Sequence, residues 1–197
     1  MCPRSAEQVE QLKDERRSAL LRAARVVFSR KGFAAAKIAD VAAGAGISHG
    51  LVYHYFPDKE ALFAATVSLA VEGWQSLLSQ VLEEPGTPLD RLTSLCGKMI
   101  AGLGDEPEYL LLIIQAHTGE GVPESLRALL QQHRRKVFED LTTLIVEGQR
   151  AGLIVREIPD ALARALLALI QGMAINRLID AGETPPPLVV VTRLLKV

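Results

Sequence analysis

IADVAAGAGISHGLVYHYFP, residues 38–57, decides the fold of this chain. Two short helical runs meet at Gly46-Ile47-Ser48. Residues 38–45 form the first, Ser48 caps a second at 49–56, and Pro57-Asp58 ends it and opens another helix. Val41, Ala45, Ile47, Val52 and Tyr55 are spaced to be buried. Ala42 is small enough for one helix to cross close over the other. Gly46 stands where the turn needs a left-handed backbone, which a Cβ would penalise. This is the pattern of a helix-turn-helix.

At about 100° per residue, the helix over 49–56 sorts its own side chains. Val52, Tyr55 and Phe56 share one side and can pack inward. His49, Gly50, Tyr53 and His54 share the opposite arc and are left facing outward. A helix of this kind fits the DNA major groove, with its N-terminal residues at the base edges. His49 is then a candidate base reader. Gly50 permits close backbone approach, Leu51 can touch a thymine methyl, and His54 lies on the same face. Tyr53 can donate its hydroxyl to a phosphate. Ser48 joins the set at the start of the helix. Lys37 and Lys59, each beside a helix start, are further phosphate ligands.

The rest of the chain sets the context. It has 197 residues, 49% of them hydrophobic, so a sizeable core can form. The formal net charge is −1, but it is unevenly spread. Residues 1–63 carry 10 Lys and Arg against 7 Asp and Glu, whereas residues 64–197 carry 12 against 16. The basic N-terminal part suits a polyanionic partner. Cys2 and Cys96 make no ligand-spaced pattern, which fits a reduced, cytoplasmic setting. No signal peptide is visible. The most apolar stretch, 161–175, is broken by Arg164 and Gln171 and is short for a bilayer, so no membrane span is expected.

Helix punctuation recurs along the chain. Ser5 and Gln8 read as a capping box for a long first helix, with an apolar stripe of Leu12, Ala19, Ala23, Val26 and Val27 that ends near Gly32. A fourth helix carries Phe63, Val67, Ala70, Trp74, Leu77 and Val81. Thr87-Pro88 opens a fifth with Leu92, Leu95, Cys96, Met99 and Leu103. Tyr109–Ile114 is apolar all round and is expected to be buried. A long helix runs to about Gly148 with Gln131, Gln132, Arg134 and Arg135 outward, and another runs from Pro159 to near Gly182. The tail after Pro185-Pro186-Pro187 stays open between strand, which Val189, Val190 and Val191 favour locally, and helix. The expected fold is all-α, with roughly nine helices.

Residues 32–63, GFAAAKIADVAAGAGISHGLVYHYFPDKEALF, resemble the N-terminal DNA-binding domain of TetR-family transcriptional regulators. The shared features are a glycine-aromatic pair after the first helix, an A-x-x-x-G-I-S turn and a Y-x-Y-F-x-x-K-E-x-L run. They cover about a sixth of the chain, and EGQRAGLI at 147–154 agrees with the ending of the family's long helix. The resemblance implies a three-helix DNA-binding domain, residues 1–63, and a larger helical domain for effector and dimerisation, residues 64–197. It also implies a homodimer that represses from a palindromic operator on double-stranded DNA and is released by a small molecule. The family usually carries Thr or Ser at position 36 as a cap of the second helix. Ala36 stands there instead, a loss of about 1 kcal/mol that shifts phosphate contact toward Lys37.

In the second domain, Ala161, Ala165, Ala168 and Gly172 form a small-residue stripe. Leu166, Leu167, Ile170, Met173, Ala174 and Leu178 supply bulk, so the helix needs cover on both sides. Ala165, Leu166, Ala168, Ile170, Gly172 and Leu178 are the expected dimer contacts. A dimer also fits two recognition helices set roughly 34–36 Å apart. An apolar effector site is expected from Met99, Leu103, Tyr109, Ile113, Phe138, Leu141 and Met173, with polar anchors from His117, Gln171 and Asn176.

Enzyme chemistry finds no footing here. There is no HExxH, P-loop, GxGxxG or nucleophile elbow, and Cys96 has no identifiable base partner. His49 and His54, five residues apart, diverge by about 140° on a helix, which rules out a shared metal. No cofactor is expected. The alternatives to a ligand-released repressor are an activator, or a dimeric DNA-binding regulator with no small-molecule effector.

Overall fold

The computed structural model describes residues 6–180, 182 and 184–196. Among them run nine helices: α1 (Ala6–Ala35), α2 (Ile38–Ala45), α3 (His49–Tyr55), α4 (Lys59–Glu83), α5 (Pro88–Asp105), α6 (Glu108–Thr118), α7 (Glu124–Arg150), α8 (Pro159–Ile179) and α9 (Leu188–Thr192). The all-α expectation holds. Ser5, and with it the capping box read at 5–8, lies outside the described residues, as do Cys2 and Ala181.

The turn chemistry is local and legible. Gly46 has φ 67° and ψ 31°. Its N–H donates to the Ala43 carbonyl at 3.2 Å, and the Ile47 N–H donates to the Ala42 carbonyl at 3.0 Å. That pair of bonds is a Schellman ending, which closes α2 and releases the chain into α3. At the start of α4, Asp58 Oδ1 accepts from the Ala61 N–H at 2.7 Å, a cap that stabilises by about 1 kcal/mol. Thr87 Oγ1 accepts from the Asp90 N–H at 3.2 Å, and Asp90 Oδ2 accepts in return from the Thr87 N–H at 2.9 Å. The Thr87 N–H, first, and the Thr87 hydroxyl, which donates to Asp90 Oδ2 at 2.7 Å, hold the Asp90 carboxyl below the usual carboxylate range.

The cap expected of position 36 is corrected by the structure. Lys37, not Ala36, precedes the first helical residue of α2 with extended φ/ψ, and Ala36 is buried in the core. The start of α2 is instead tied by Asp40, which accepts from the Lys37 N–H at 3.3 Å and from Lys31 Nζ at 2.8 Å. The Lys31 ammonium, first, and the Lys37 N–H hold the Asp40 carboxyl below its ordinary value. A small apolar residue at 36 therefore serves packing.

Other elements shift in detail. The buried face of α1 is Leu20, Leu21, Ala24 and Phe28; the predicted stripe of Leu12, Ala19, Ala23, Val26 and Val27 is only half-buried. Gly32 (φ 70°, ψ 173°) breaks the helical geometry, yet the chain resumes helix to Ala35. α6 is longer than its apolar run, and only Leu111, Leu112 and Ala116 of it are buried. The valine-rich tail is helical: Val191 and Thr192 bury against the body of the domain. Its strand tendency survives as one antiparallel bridge between Ile154 and Lys196. Packing overrode local propensity there.

Two hydrophobic cores form. The first gathers Phe28, Val41, Val52, Phe56, Leu62, Phe63 and Val67. Phe63 lies edge-on to Phe28, with ring centroids 4.8 Å apart. The second gathers Leu78, Val81, Leu92, Leu95, Cys96, Leu141, Leu144, Ile145, Leu166 and Ile170. α4 is long and apolar enough to cross a membrane, but its apolar side chains are divided between these two cores.

Candidate nucleic-acid interface

α3 presents the two faces that its wheel predicts. Val52 is fully buried, Phe56 is buried at the helix end, and Tyr55 packs half-buried against the first core. The Arg17 guanidinium covers Phe56 from α1, 5.4 Å from the ring centroid. On the other side His49, Gly50, Tyr53 and His54 are exposed, and Leu51 is half-buried. The His49 and Tyr53 rings meet edge to face with centroids 5.2 Å apart. The i, i+4 spacing puts them on one surface, where each limits the other's rotamers.

Gly50 has nothing within 4 Å of where a Cβ would stand. No packing demand therefore accounts for glycine in the first turn of this helix, where it weakens helix formation by about 1 kcal/mol relative to Ala. Ser48 occupies the cap position with extended φ/ψ, but its side chain makes no capping bond. The hydroxyl is exposed on the reading face.

The lysines part company. Lys37 is exposed beside the start of α2. Lys59 is already engaged: its Nζ donates to the Ala34 carbonyl at 3.0 Å and lies 4.7 Å from the Phe33 ring centroid. It locks the end of α1 to the start of α4, and only its remaining N–H bonds are open to a phosphate.

The expected effector residues do not come together. Leu103, Leu141 and Met173 are buried in the second core. Met99 and Phe138 pack half-buried against it, and the Arg164 guanidinium lies 5.1 Å from the Phe138 ring. Tyr109 and Ile113 pack against the first core instead. His117 Nδ1 is 2.9 Å from the Ile113 carbonyl, and Gln171 and Asn176 are exposed. Met173 and Asn176 do share an open cleft of about 410 Å³ with Ala168, Leu169, Gly172, Arg177, Pro185 and Pro186.

The dimer set divides too. Leu166 and Ile170 fill the protomer's own core, at 2% and 1% exposure, and so are corrected from interface to core. Ala165 and Ala168 are exposed and Gly172 is half-buried, and further along the helix Ile175 and Ile179 stand out at 42% and 79% exposure. The Leu178 side chain lies outside the described residues. Sequence reasoning missed Ile175 and Ile179, although they continue the small-residue stripe at helical spacing. It also missed Arg25, whose partner lies 81 positions away, a separation no local pattern reveals. Among the described residues no three His, Cys, Asp or Glu side chains gather to hold a metal ion.

A helical hairpin that buries one face of α3 and exposes an aromatic, imidazole-bearing face has the form of a helix-turn-helix, whose second helix in DNA-binding proteins enters the major groove. Residues 20–66 match the model of the bacterial regulatory proteins of the tetR family. The chain is 25% identical over 172 residues to the HTH-type transcriptional repressor DhaR of Mycobacterium sp. (strain GP1), covering 81% of this chain and 80% of DhaR. Its fold matches that of a TetR-family transcriptional regulator from Agrobacterium tumefaciens with a TM-score of 0.77 at 21% identity, over 91% of this chain and 95% of that one. It also matches AibR in complex with isovaleryl coenzyme A and operator DNA, with a TM-score of 0.68 at 19% identity, over 87% and 100% of the two chains. Residues 20–66 thus match the tetR-family model, and the chain as a whole is similar to transcriptional regulators that carry this domain.

Proposed function

We propose that the protein is a cytoplasmic, homodimeric repressor that binds a palindromic operator through α3 and is released by a small apolar molecule. The observation that carries the DNA reading is the exposed α3 face, where His49, Gly50, Tyr53 and His54 have no role in the protein's own core. Residues 1–63 act as the reading head and residues 64–197 as the effector and dimerisation domain. In the head, His49 and Leu51 meet base edges, and His54 lies beside them. Ser48, Tyr53 and Lys37 meet phosphates, with Lys59 contributing its free N–H bonds.

Dimerisation is supported by the outer face of α8. Ala165, Ala168 and Gly172 permit close helix approach, and Ile175 and Ile179 are large apolar groups left in water by a single protomer. The cleft beside Gly172 and the Pro185-Pro186 segment is continuous with this face, and a second copy is its occupant. An acyl or similarly apolar effector fits the second domain's composition, and AibR with isovaleryl coenzyme A provides a precedent on this fold.

One observation favours a regulator without an effector. The ten residues expected to line a common site are spread over two cores and the surface. Selection of bound fragments from a random DNA pool tests the central reading. A palindromic consensus with half-sites about one helical turn apart is expected; recovery of no consensus overturns it. Repeating the selection with acyl-CoA and fatty-acid mixtures separates the two versions: loss of binding supports the effector, and unchanged binding supports the effector-free regulator.

A further inference from the structure

The first helix runs well beyond the core that it serves. α1 starts at Ala6, but among its described side chains Leu20 is the first to be buried. The overhang is about 20 Å long at 1.5 Å per residue. Of its described side chains between Gln8 and Ser18, only Leu12 is even half-buried. Short exposed helices are marginal in water, and packing within the chain gives this one no reason to extend so far.

The charges on the overhang are sorted by side. At about 100° per residue, Lys13, Arg16 and Arg17 fall within an arc of about 100°, and no described carboxylate shares it. Leu20 and Ala24 continue the same arc into the first core. Glu10, Asp14 and Glu15 fall on the other side, with Arg22 opposite Lys13. Those four line one shallow depression of the surface with Gln11 and Ser18.

Two contacts fix where each side points. The Arg17 guanidinium lies 5.4 Å from the ring centroid of Phe56, the residue that ends α3. The basic arc therefore looks toward the end of α3, where His54 is exposed. Arg25, about two turns along and in line with the acidic arc, donates to Glu106 Oε1 at 2.7 Å. The acidic arc therefore looks the other way, toward α6. Lys13 stands one turn beyond Arg17, about 6 Å further out along the axis. It lies 3.5 Å from Glu10, with both side chains more than half exposed, a pair too weak to hold the ammonium. Arg16 makes no ion pair among the described residues.

We infer that the overhang of α1 is a second DNA-contacting element, in which Lys13 and Arg16 meet the sugar-phosphate backbone that flanks the base pairs under α3. The inference rests on the DNA reading proposed above. Duplex DNA carries one negative charge per about 1.7 Å of its axis, so a rod of about 20 Å with its cations on one side meets several phosphates. Arg17 joins the overhang to the end of α3 through Phe56, and the two elements then bind in register. The carboxylates on the far arc keep the helix from lying on DNA by its other side. Contacts of this kind carry no base information. They lengthen the footprint and raise affinity and its salt dependence while the consensus stays the same.

Salt-dependent binding of the full chain to two duplexes tests this. One carries the consensus recovered by selection, and the other is a random sequence of the same length. Lys13→Gln with Arg16→Gln removes both charges and keeps good helix formers, so helicity and melting temperature hold. Each phosphate contact adds about 0.9 to the slope of log affinity against log salt. The double variant is expected to lower that slope by about 1.8 per protomer on both duplexes, so that a fourfold rise in salt costs it about twelvefold less than wild type. Lys13→Gln alone should lower it by about half as much. Arg22→Gln removes a charge of the same sign from the opposite arc and should leave the slope unchanged. Trimming the duplex to the consensus should lower the slope for wild type and not for the double variant. An unchanged slope in the double variant, or an equal change per charge with Arg22→Gln, overturns the inference and leaves the DNA reading standing. A changed consensus on repeated selection also overturns it, because backbone contacts do not read bases. A wild-type chain that binds neither duplex overturns the DNA reading and this inference with it.

Discussion

Gly172→Leu separates a dimer face from a merely exposed one. Gly172 lies mid-helix on α8, and a Cβ built there meets nothing within 4 Å. The isolated protomer therefore accommodates a side chain at this position. Because glycine in a helix interior is less favourable than alanine by about 0.8–1 kcal/mol, Gly172→Ala and Gly172→Leu should not weaken the protomer's fold. In a dimer packed on Ala165, Ala168 and Gly172 the outcome differs. Forcing extra methylene groups into a packed contact costs about 1–3 kcal/mol. A two-fold axis presents the change twice, so the interface loses about 2–6 kcal/mol, roughly 30-fold to 20,000-fold in dissociation constant. Sedimentation velocity across a dilution series reads the association directly. Thermal melting measured in parallel keeps a folding defect from passing as dissociation. A Gly172→Leu protein that sediments as the wild-type dimer refutes the α8 interface. One that sediments as a monomer with lowered helicity refutes the claim that the protomer has room at this position.

The reading face yields two predictions. Tyr53→Phe should weaken binding to every DNA sequence by a similar factor, about 1.5–3 kcal/mol per protomer for a hydrogen bond to a charged group; fluorescence anisotropy with matched and mismatched duplexes checks this, and a changed base preference would falsify the phosphate assignment. His49→Ala should relax the preference at one or two base pairs per half-site in a repeated selection, and an unaltered consensus removes His49 as a reader. A third prediction concerns pH. Burial, with a smaller contribution from the neighbouring His117 charge, holds the His133 ring below the ordinary value of 6.5. The unfolded chain then binds the proton more readily than the folded one, so this site's contribution is intact above pH 6.5 and declines as pH falls below it. His133→Leu should reduce the difference in melting temperature between about pH 7.5 and about pH 5.5; an unchanged difference places the acid sensitivity elsewhere.

The short-range features were legible because their causes are short-range. The Gly46 turn, the Asp58 and Thr87 caps and the two faces of α3 depend on residues within about five positions of one another, so spacing alone specifies them. The small-residue stripe of α8 was legible as a stripe for the same reason. Which bulky neighbours it leaves outside was not, because Leu166 and Ile175 are equally apolar and only the packing of α8 against its own core separates them. Ala36 illustrates the same boundary: its identity suggested a lost cap, but the helix starts one residue later and the alanine fills core.

The amino-acid sequence by itself determined an all-helical chain, a helix-turn-helix at residues 38–57 and an outward face bearing His49, Gly50, Tyr53 and His54, since periodicity and turn chemistry are written into neighbouring residues. Only the tertiary structure decided that α6 divides its apolar residues, Leu112 and Ala116 to the first core and Leu111 to the second, and that Arg25 closes on Glu106, 81 residues away. It also scattered the expected effector residues over both cores and the surface. Those outcomes depend on which helices come to lie side by side, and that choice comes from burying all the apolar faces together rather than from any one segment.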